Sequence, residues 1–175
     1  MKKQLLAAAA IAFCSQAALA FPASQNTCSL TDVAMAVDCQ GSFAGNNSGN
    51  ATPGAAETLS FINSTWGFNF TSANVFGDLM FTGGNTGSVN LGGTFAGEFV
   101  LALKAGTGFS LYKVDGGAMG VSSLSFSTSA LSNKDLSHAT VYGSPLAAVP
   151  EPETYAMLLA GLGVMGFIAR RRKAS

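Results

Sequence analysis

Charge, histidine and internal apolar runs are scarce in this sequence, and each shortage removes a class of function. Only 10% of its 175 residues are charged, and nine basic residues balance nine acidic ones. The balance comes from the ends, because Lys2, Lys3 and the run Arg170, Arg171, Arg172, Lys173 supply most of the cations. Between 21 and 148 only Lys104, Lys113 and Lys134 stand against Asp32, Asp38, Glu57, Asp78, Glu98, Asp115 and Asp135, so the body is mildly acidic. A surface so poor in Lys and Arg cannot neutralise phosphates, which excludes nucleic acid as a partner.

A single histidine, His138, leaves few options for acid–base or covalent catalysis, and no enzyme activity is expected. The acids are scattered, without the local pairing that glycoside hydrolysis favours. An extracellular hydrolase is therefore the least favoured reading, and it requires two carboxylates to converge in a cleft on folding, with Asp78, Glu98 and Asp115 as the candidates. No metal site is expected either, since Asp115-Gly116-Gly117 and Asn133-Lys134-Asp135 are better explained by turn chemistry than by calcium ligation. Gly83-Gly84-Asn85-Thr86-Gly87 and Gly92-Gly93-Thr94 lack the lysine and helix start of a phosphate cradle and read as hairpin or bulge material. No cofactor is implied.

The N-terminus carries Lys2-Lys3, an apolar stretch from Leu5 to Phe13, and Ala18-Leu19-Ala20. These are the n-region, h-region and small-residue cleavage site of a signal peptide over 1–20, with Ala18 and Ala20 read by signal peptidase and Phe21 as the first mature residue. Phe13 before Cys14 argues against a lipid anchor there. Export places the remaining cysteines, Cys28 and Cys39, in an oxidising compartment, where a disulfide is expected. Closing so short a loop contributes about 3 kcal/mol on the chain-entropy view.

Segment 21–57 reads as the disulfide-bearing region followed by a Gly, Asn and Ser-rich loop over Gly41 to Gly54, expected to be mobile or loosely packed. Ser29 to Cys39 is short and β-branched, which favours a strand over a helix. With 21–57 included, 58–148 forms one all-β body. Phe99, Leu101 and Leu103 alternate with Val100, Ala102 and Lys104 in a half-buried strand, and Ala105 to Gly108 turns into a second strand over Phe109 to Val114. Further strands are expected over Leu59 to Ile62, Trp66 to Phe70, Leu79 to Phe81, Val121 to Ser127 and Ala139 to Tyr142. No long amphipathic helix is evident. Short strands with turn punctuation predict an antiparallel β-sandwich or jelly-roll-like body, with a signal helix before it and a single transmembrane helix after it.

Most of the phenylalanines suit a core of this kind. Trp66 and Tyr112 carry polar handles and are the better candidates for contact with a sugar ring.

The last segment, 149–175, joins a short polar motif to an apolar run and a basic cluster. Val149, Pro150, Glu151 and Pro152 are expected to be extended and accessible, because proline fixes φ and removes donors. The run from Tyr155 to Ile168 suits a helix in lipid, where backbone groups must be satisfied internally. From Thr154 to Ala169 it would span roughly 24 Å, somewhat short of the roughly 30 Å hydrocarbon core. Arg170, Arg171, Arg172 and Lys173 then favour a cytoplasmic C-terminus.

In Pro150-Glu151-Pro152, the apolar run and the basic cluster, the segment resembles the PEP-CTERM sorting signal of Gram-negative bacteria that make exopolysaccharide. That resemblance implies a membrane-embedded exosortase as partner, cleavage near the Pro-Glu-Pro, and delivery of the body to the cell surface or matrix. Phe99 to Tyr112, Gly120 to Phe126 and Leu136 to Gly143 also look like other exported proteins with this tail. The same tail is associated with ice-binding proteins, but no Thr-x-Thr ladder or solenoid period is present. The expected function is thus a non-catalytic structural or adhesive component, anchored in the inner membrane in transit, whose partners are exopolysaccharide or matrix proteins. A lectin-like carbohydrate-binding module is the alternative.

Overall fold

In the computed structural model the described residues are 21–24, 27–49, 53–147, 157–165 and 170. The expected signal helix, with Ala18 and Ala20, lies outside them.

The body is mostly β. Its strands are β1 (Ala36–Ala44), β2 (Val75–Phe76), β3 (Phe81–Gly83), β4 (Thr86–Phe95), β5 (Glu98–Ala105), β6 (Gly108–Asp115), β7 (Val121–Ser127) and β8 (Leu136–Tyr142), with one helix, α1 (Ala55–Trp66), between β1 and β2. Five strands form one antiparallel sheet in the order β1-β6-β5-β8-β2, and three form a second in the order β3-β4-β7. The expected hairpin from β5 to β6 is present, in a register that runs from Glu98 opposite Asp115 to Ala105 opposite Gly108.

Alternation along β5 divides the interior in two. Phe99, Leu101, Leu103 and Ala105 join Tyr112, Val114, Ala139 and Val141 in a cluster completed by Val89, Leu91, Leu124 and Phe126 of the smaller sheet. Val100 and Ala102 point the other way, into a cluster with Phe43, Phe109, Leu111, Tyr142 and Ile62 of α1. The central strand is therefore buried on both faces rather than half-buried, because a helix covers the face that alternation alone would leave to water.

That helix corrects the reading of two strands. Leu59 to Ile62 lies inside α1, Trp66 ends it, and 67–71 has no regular structure. Thr58 and Ile62 are buried one turn apart, with Leu59 and Trp66 packed beside them, which is a 3.6-residue stripe that the β-branched and aromatic residues disguise. Glu57 reaches back to accept from the Gly54 N–H at 3.0 Å, and Gly67 closes the helix in the left-handed region at φ 72°, its N–H bonded to the Asn63 carbonyl.

Other boundaries shift. The segment after Ser29 opens with a 3₁₀ turn at Leu30–Asp32, and β1 starts only at Ala36. It then runs through Gly41 to Ala44, residues expected to lie in the loop. The loop beyond is not loosely packed throughout, since Asn47 is buried. β3 begins at Phe81 rather than Leu79. The glycine-rich stretch after it is a hairpin, as its composition suggests, with Gly83 opposite Gly87. A Cβ on Gly87 would lie 1.8 Å from the Thr82 carbonyl oxygen, so the two strands approach as closely as they do only because both residues are glycine. Gly92 to Thr94 falls where the register between β4 and β7 shifts, the bulge its composition implied.

Candidate functional site

The N-terminal segment is tied to the large sheet by one covalent and one polar device. Cys28 and Cys39 form the expected disulfide, and Cys39 lies opposite Tyr112 across β1 and β6. Beside it Asp32, only 2% exposed, accepts from the Ser29 N–H at 3.0 Å, from the Tyr112 hydroxyl at 3.1 Å, and from the Ser129 hydroxyl. A buried carboxylate with no cation beside it among the described residues is tolerable because these donors replace its hydration. Strand alternation gives no sign of Asp32, whereas its position three residues after Ser29 is the spacing of a capping box.

Tyr112 is therefore not at an edge, and its expected contact with a glycan is overturned. It is fully buried, and burial, reinforced by the neighbouring Asp32 carboxylate, pushes its phenol well above the ordinary value. A tyrosine on a central strand of a sheet covered on both faces has nowhere to present a ring. Tyr142, on the opposite face of the sheet, is pushed up to about 12 by the same loss of water, and its hydroxyl donates to the Asn47 carbonyl at 3.3 Å.

Trp66 keeps some exposure. Its Nε1 donates to Asp38 at 2.8 Å, across to the edge strand β1. Beyond it Phe68 and Phe70 stack with centroids 4.4 Å apart, and the Lys113 ammonium sits 5.8 Å from the Phe68 ring. Asn63 fixes this short aromatic run, donating to the Phe70 carbonyl at 2.8 Å and accepting from the Phe70 N–H at 3.0 Å. The result is a pre-set aromatic ridge with Asp38 and Lys113 beside it.

The scattered acids only partly converge. Glu98 and Asp115 are direct cross-strand partners, but Glu98 is bound to Lys113 at 2.8 Å and Asp115 accepts from the Gly117 N–H at 2.9 Å. Asp78 is elsewhere, 4.0 Å from His138 Nε2, with both side chains well exposed. Asp78 also borders a cleft of about 380 Å³ between the sheets, lined by Phe76, Leu79, Met80, Asn90, Phe95 and Pro145. Among the described residues no group of acidic, histidine or cysteine side chains could hold a metal ion.

After β8 the chain is stitched back onto the body. The Gly143 N–H donates to the Asn74 carbonyl at 2.9 Å, the Asn74 amide donates to the Ser144 hydroxyl at 2.9 Å, Pro145 bridges Phe95, and the Leu146 N–H donates to the Thr94 carbonyl at 2.7 Å. Val149, Pro150, Glu151 and Pro152 lie outside the described residues, as do Arg171, Arg172 and Lys173, while Arg170 is helical and exposed. Residues 157–165 are helical, and every side chain there is exposed, including Met157, Leu158, Leu159, Leu162, Val164 and Met165. Among the described residues no helix is long and apolar enough to cross a membrane, so the expected span over 154–169 is represented by its middle alone.

No curated protein and no solved structure matches the chain. A family model does match its end, over 148–173, and it begins two residues past Leu146, which carries the last body hydrogen bond among the described residues. Residues 148–173 are a PEP-CTERM protein-sorting motif, which implies an exported chain handled by an exosortase.

Proposed function

We propose that the protein is a non-catalytic structural or adhesive component of the cell surface or exopolysaccharide matrix, delivered through its C-terminal signal and freed from the membrane by cleavage near Pro150. The sorting motif over 148–173 is the observation that carries this reading. The described helical residues 157–165, all apolar and all exposed, support it, because such a segment has no stable place in water. The disulfide fits an oxidising destination. The shared apolar cluster between the two sheets fits a sandwich, a rigid body suited to a scaffold. The engagement of Glu98 by Lys113 and of Asp115 by its own turn favours a non-catalytic role.

A lectin-like module is the second reading, favoured by the partly exposed Trp66 on its Asn63-braced ridge. Intact mass of the protein from culture supernatant and membrane fractions of the producing host tests the first reading. A species from Phe21 to near Pro150 is expected. A membrane-bound species that keeps Arg170 to Lys173 would make the tail a plain anchor and remove the case for a matrix role.

A further inference from the structure

The chain leaves the body without a linker. Leu146 is held by Thr94, and only residues 147 to 149 separate it from Pro150. Fully extended, that distance is at most about 14 Å. A protease or transferase that takes the motif into its cleft must therefore come into contact with the end of the body from which the tail departs.

That end has a distinct surface. Met35, Met119 and Leu146 are 49%, 91% and 50% exposed. Three backbone contacts place them together: the Met35 carbonyl accepts from the Asp115 N–H, Leu146 bonds Thr94, and Gly120, next to Met119, abuts Thr94 and Phe95. The turns that cross between the sheets, at Gly97 from β4 to β5 and at Gly116 to Gly117 from β6 to β7, lie between them, bonded to each other. Charge at this end is acidic, with Asp115 free of any cation contact among the described residues and Glu98 occupied by Lys113. Lys104 and Lys134 are at the opposite end, against Gly106 in the turn from β5 to β6. With Asp135 offsetting one lysine at that far end and Lys113 offsetting one acid at this one, an anionic bilayer surface would still favour the far end over this one. An apolar patch with acidic neighbours at the tether point suits a protein instead.

We propose that the exit end of the body, formed by Met35, Met119 and Leu146, is a docking face for the membrane-embedded enzyme that processes the tail, so that the enzyme reads the folded body together with the motif. The proposal rests on the sorting function above. Its chemistry is apolar contact at close range, imposed by a tether too short to keep the two apart.

The test is a pulse-chase of the full chain in the producing host, read by intact mass. A triple variant, Met35→Asn, Met119→Glu and Leu146→Asp, removes the patch, with asparagine chosen to suit the φ of 62° at position 35. Thr107→Glu at the opposite end is the control. The triple variant should be processed roughly tenfold more slowly, corresponding to about 1.4 kcal/mol of lost binding, with an unchanged melting temperature and an intact disulfide, while the control keeps the parent rate. A Gly/Ser insertion of about 20 residues between Ala147 and Ala148 uncouples body from motif; it should slow processing and abolish the difference between the triple variant and the parent. Unchanged processing of the triple variant would overturn the docking face and leave the sorting reading standing. If the parent chain itself is never cut, the sorting reading fails first, and that result is distinguishable because it needs no variant.

Discussion

Two helical segments among the described residues, α1 and 157–165, are both rich in apolar residues and have opposite surroundings. In α1, Thr58 and Ile62 are buried against the large sheet, while Ser60, Ser64 and Thr65 face out or toward the rim. In 157–165 there is no polar residue and no buried one. Hydrophobic content does not distinguish them; patterning does. A stripe at the helical period gives a helix one face to bury and one to hydrate, so it can cap a sheet. A helix that is apolar all round offers water nothing, and its stable environment is lipid. Among the described residues, neither core cluster takes a side chain from 157–165.

The sharpest way to break this contrast is to cut back one apolar side chain in each helix. Ile62→Ala should destabilise the body by about 2–5 kcal/mol, because Ile62 is fully buried in the cluster beneath α1. Leu162→Ala should leave the melting temperature unchanged, since Leu162 is 61% exposed. Chemical denaturation of both variants, on the full chain in detergent, measures the difference, and equal losses would mean that the tail helix rests on the body. Next in size is the disulfide. Cys28→Ser with Cys39→Ser should cost about 3 kcal/mol, and it tests whether the N-terminal segment, unlike the tail, is integral to the body. Loss well below about 1 kcal/mol would transfer the anchoring role to the Asp32 network.

The same contrast explains what the sequence disclosed. The tail was legible because its signal is local: three chemically distinct blocks in order, with no fold needed to join them. The hairpin from β5 to β6 was legible for a related reason, since alternation around Ala105 to Gly108 is a short-range pattern. Helix α1 was not, because Thr58, Phe61, Ile62 and Trp66 are strand-favouring types whose helical stripe acquires meaning only against a sheet made of distant residues. Pro53-Gly54 before it, Glu57 three residues after Gly54, and Gly67 behind it were stop and start marks that outweigh propensity here. Tyr112 was misplaced for the complementary reason: its polar handle suggested an edge, and the donor's partner, Asp32, lies 80 residues away. Long-range pairing of this kind leaves no trace in spacing.

Alkali separates body from tail by a different route. Tyr112 and Tyr142 both have phenols raised by burial in the folded state, Tyr142 to about 12. In the unfolded chain a tyrosine loses its proton near pH 10. Between those values the unfolded state binds fewer protons than the native one, so stability is fully present below about pH 10 and falls as pH rises, by about 1.4 kcal/mol per pH unit for each buried tyrosine. For Tyr142 the loss is complete near pH 12, and for Tyr112 it continues beyond. Denaturation curves of the body from pH 9 to about 12 should show this slope, and Tyr142→Phe should reduce it by one proton. A flat profile would mean that water reaches both hydroxyls.

The smallest expected effect concerns Trp66, an aromatic that the fold leaves partly in water. Trp66→Phe keeps most of the apolar contact with the lower cluster and removes the N–H that reaches Asp38. The bond is near solvent, so its loss should cost no more than about 1 kcal/mol. A variant that changes stability so little is informative for function, because an effect on binding can then be read apart from folding. If titration with an isolated exopolysaccharide shows saturable binding that Trp66→Phe weakens while the melting temperature barely moves, the ridge of Trp66, Phe68 and Phe70 is a recognition surface and the lectin-like reading gains. If binding and stability are both indifferent to the change, Trp66 serves only to fasten the end of α1 to the edge strand through Asp38. The comparison between the helices then holds in full: α1 is fastened to the body down to its last residue, whereas every described side chain of 157–165 stays exposed.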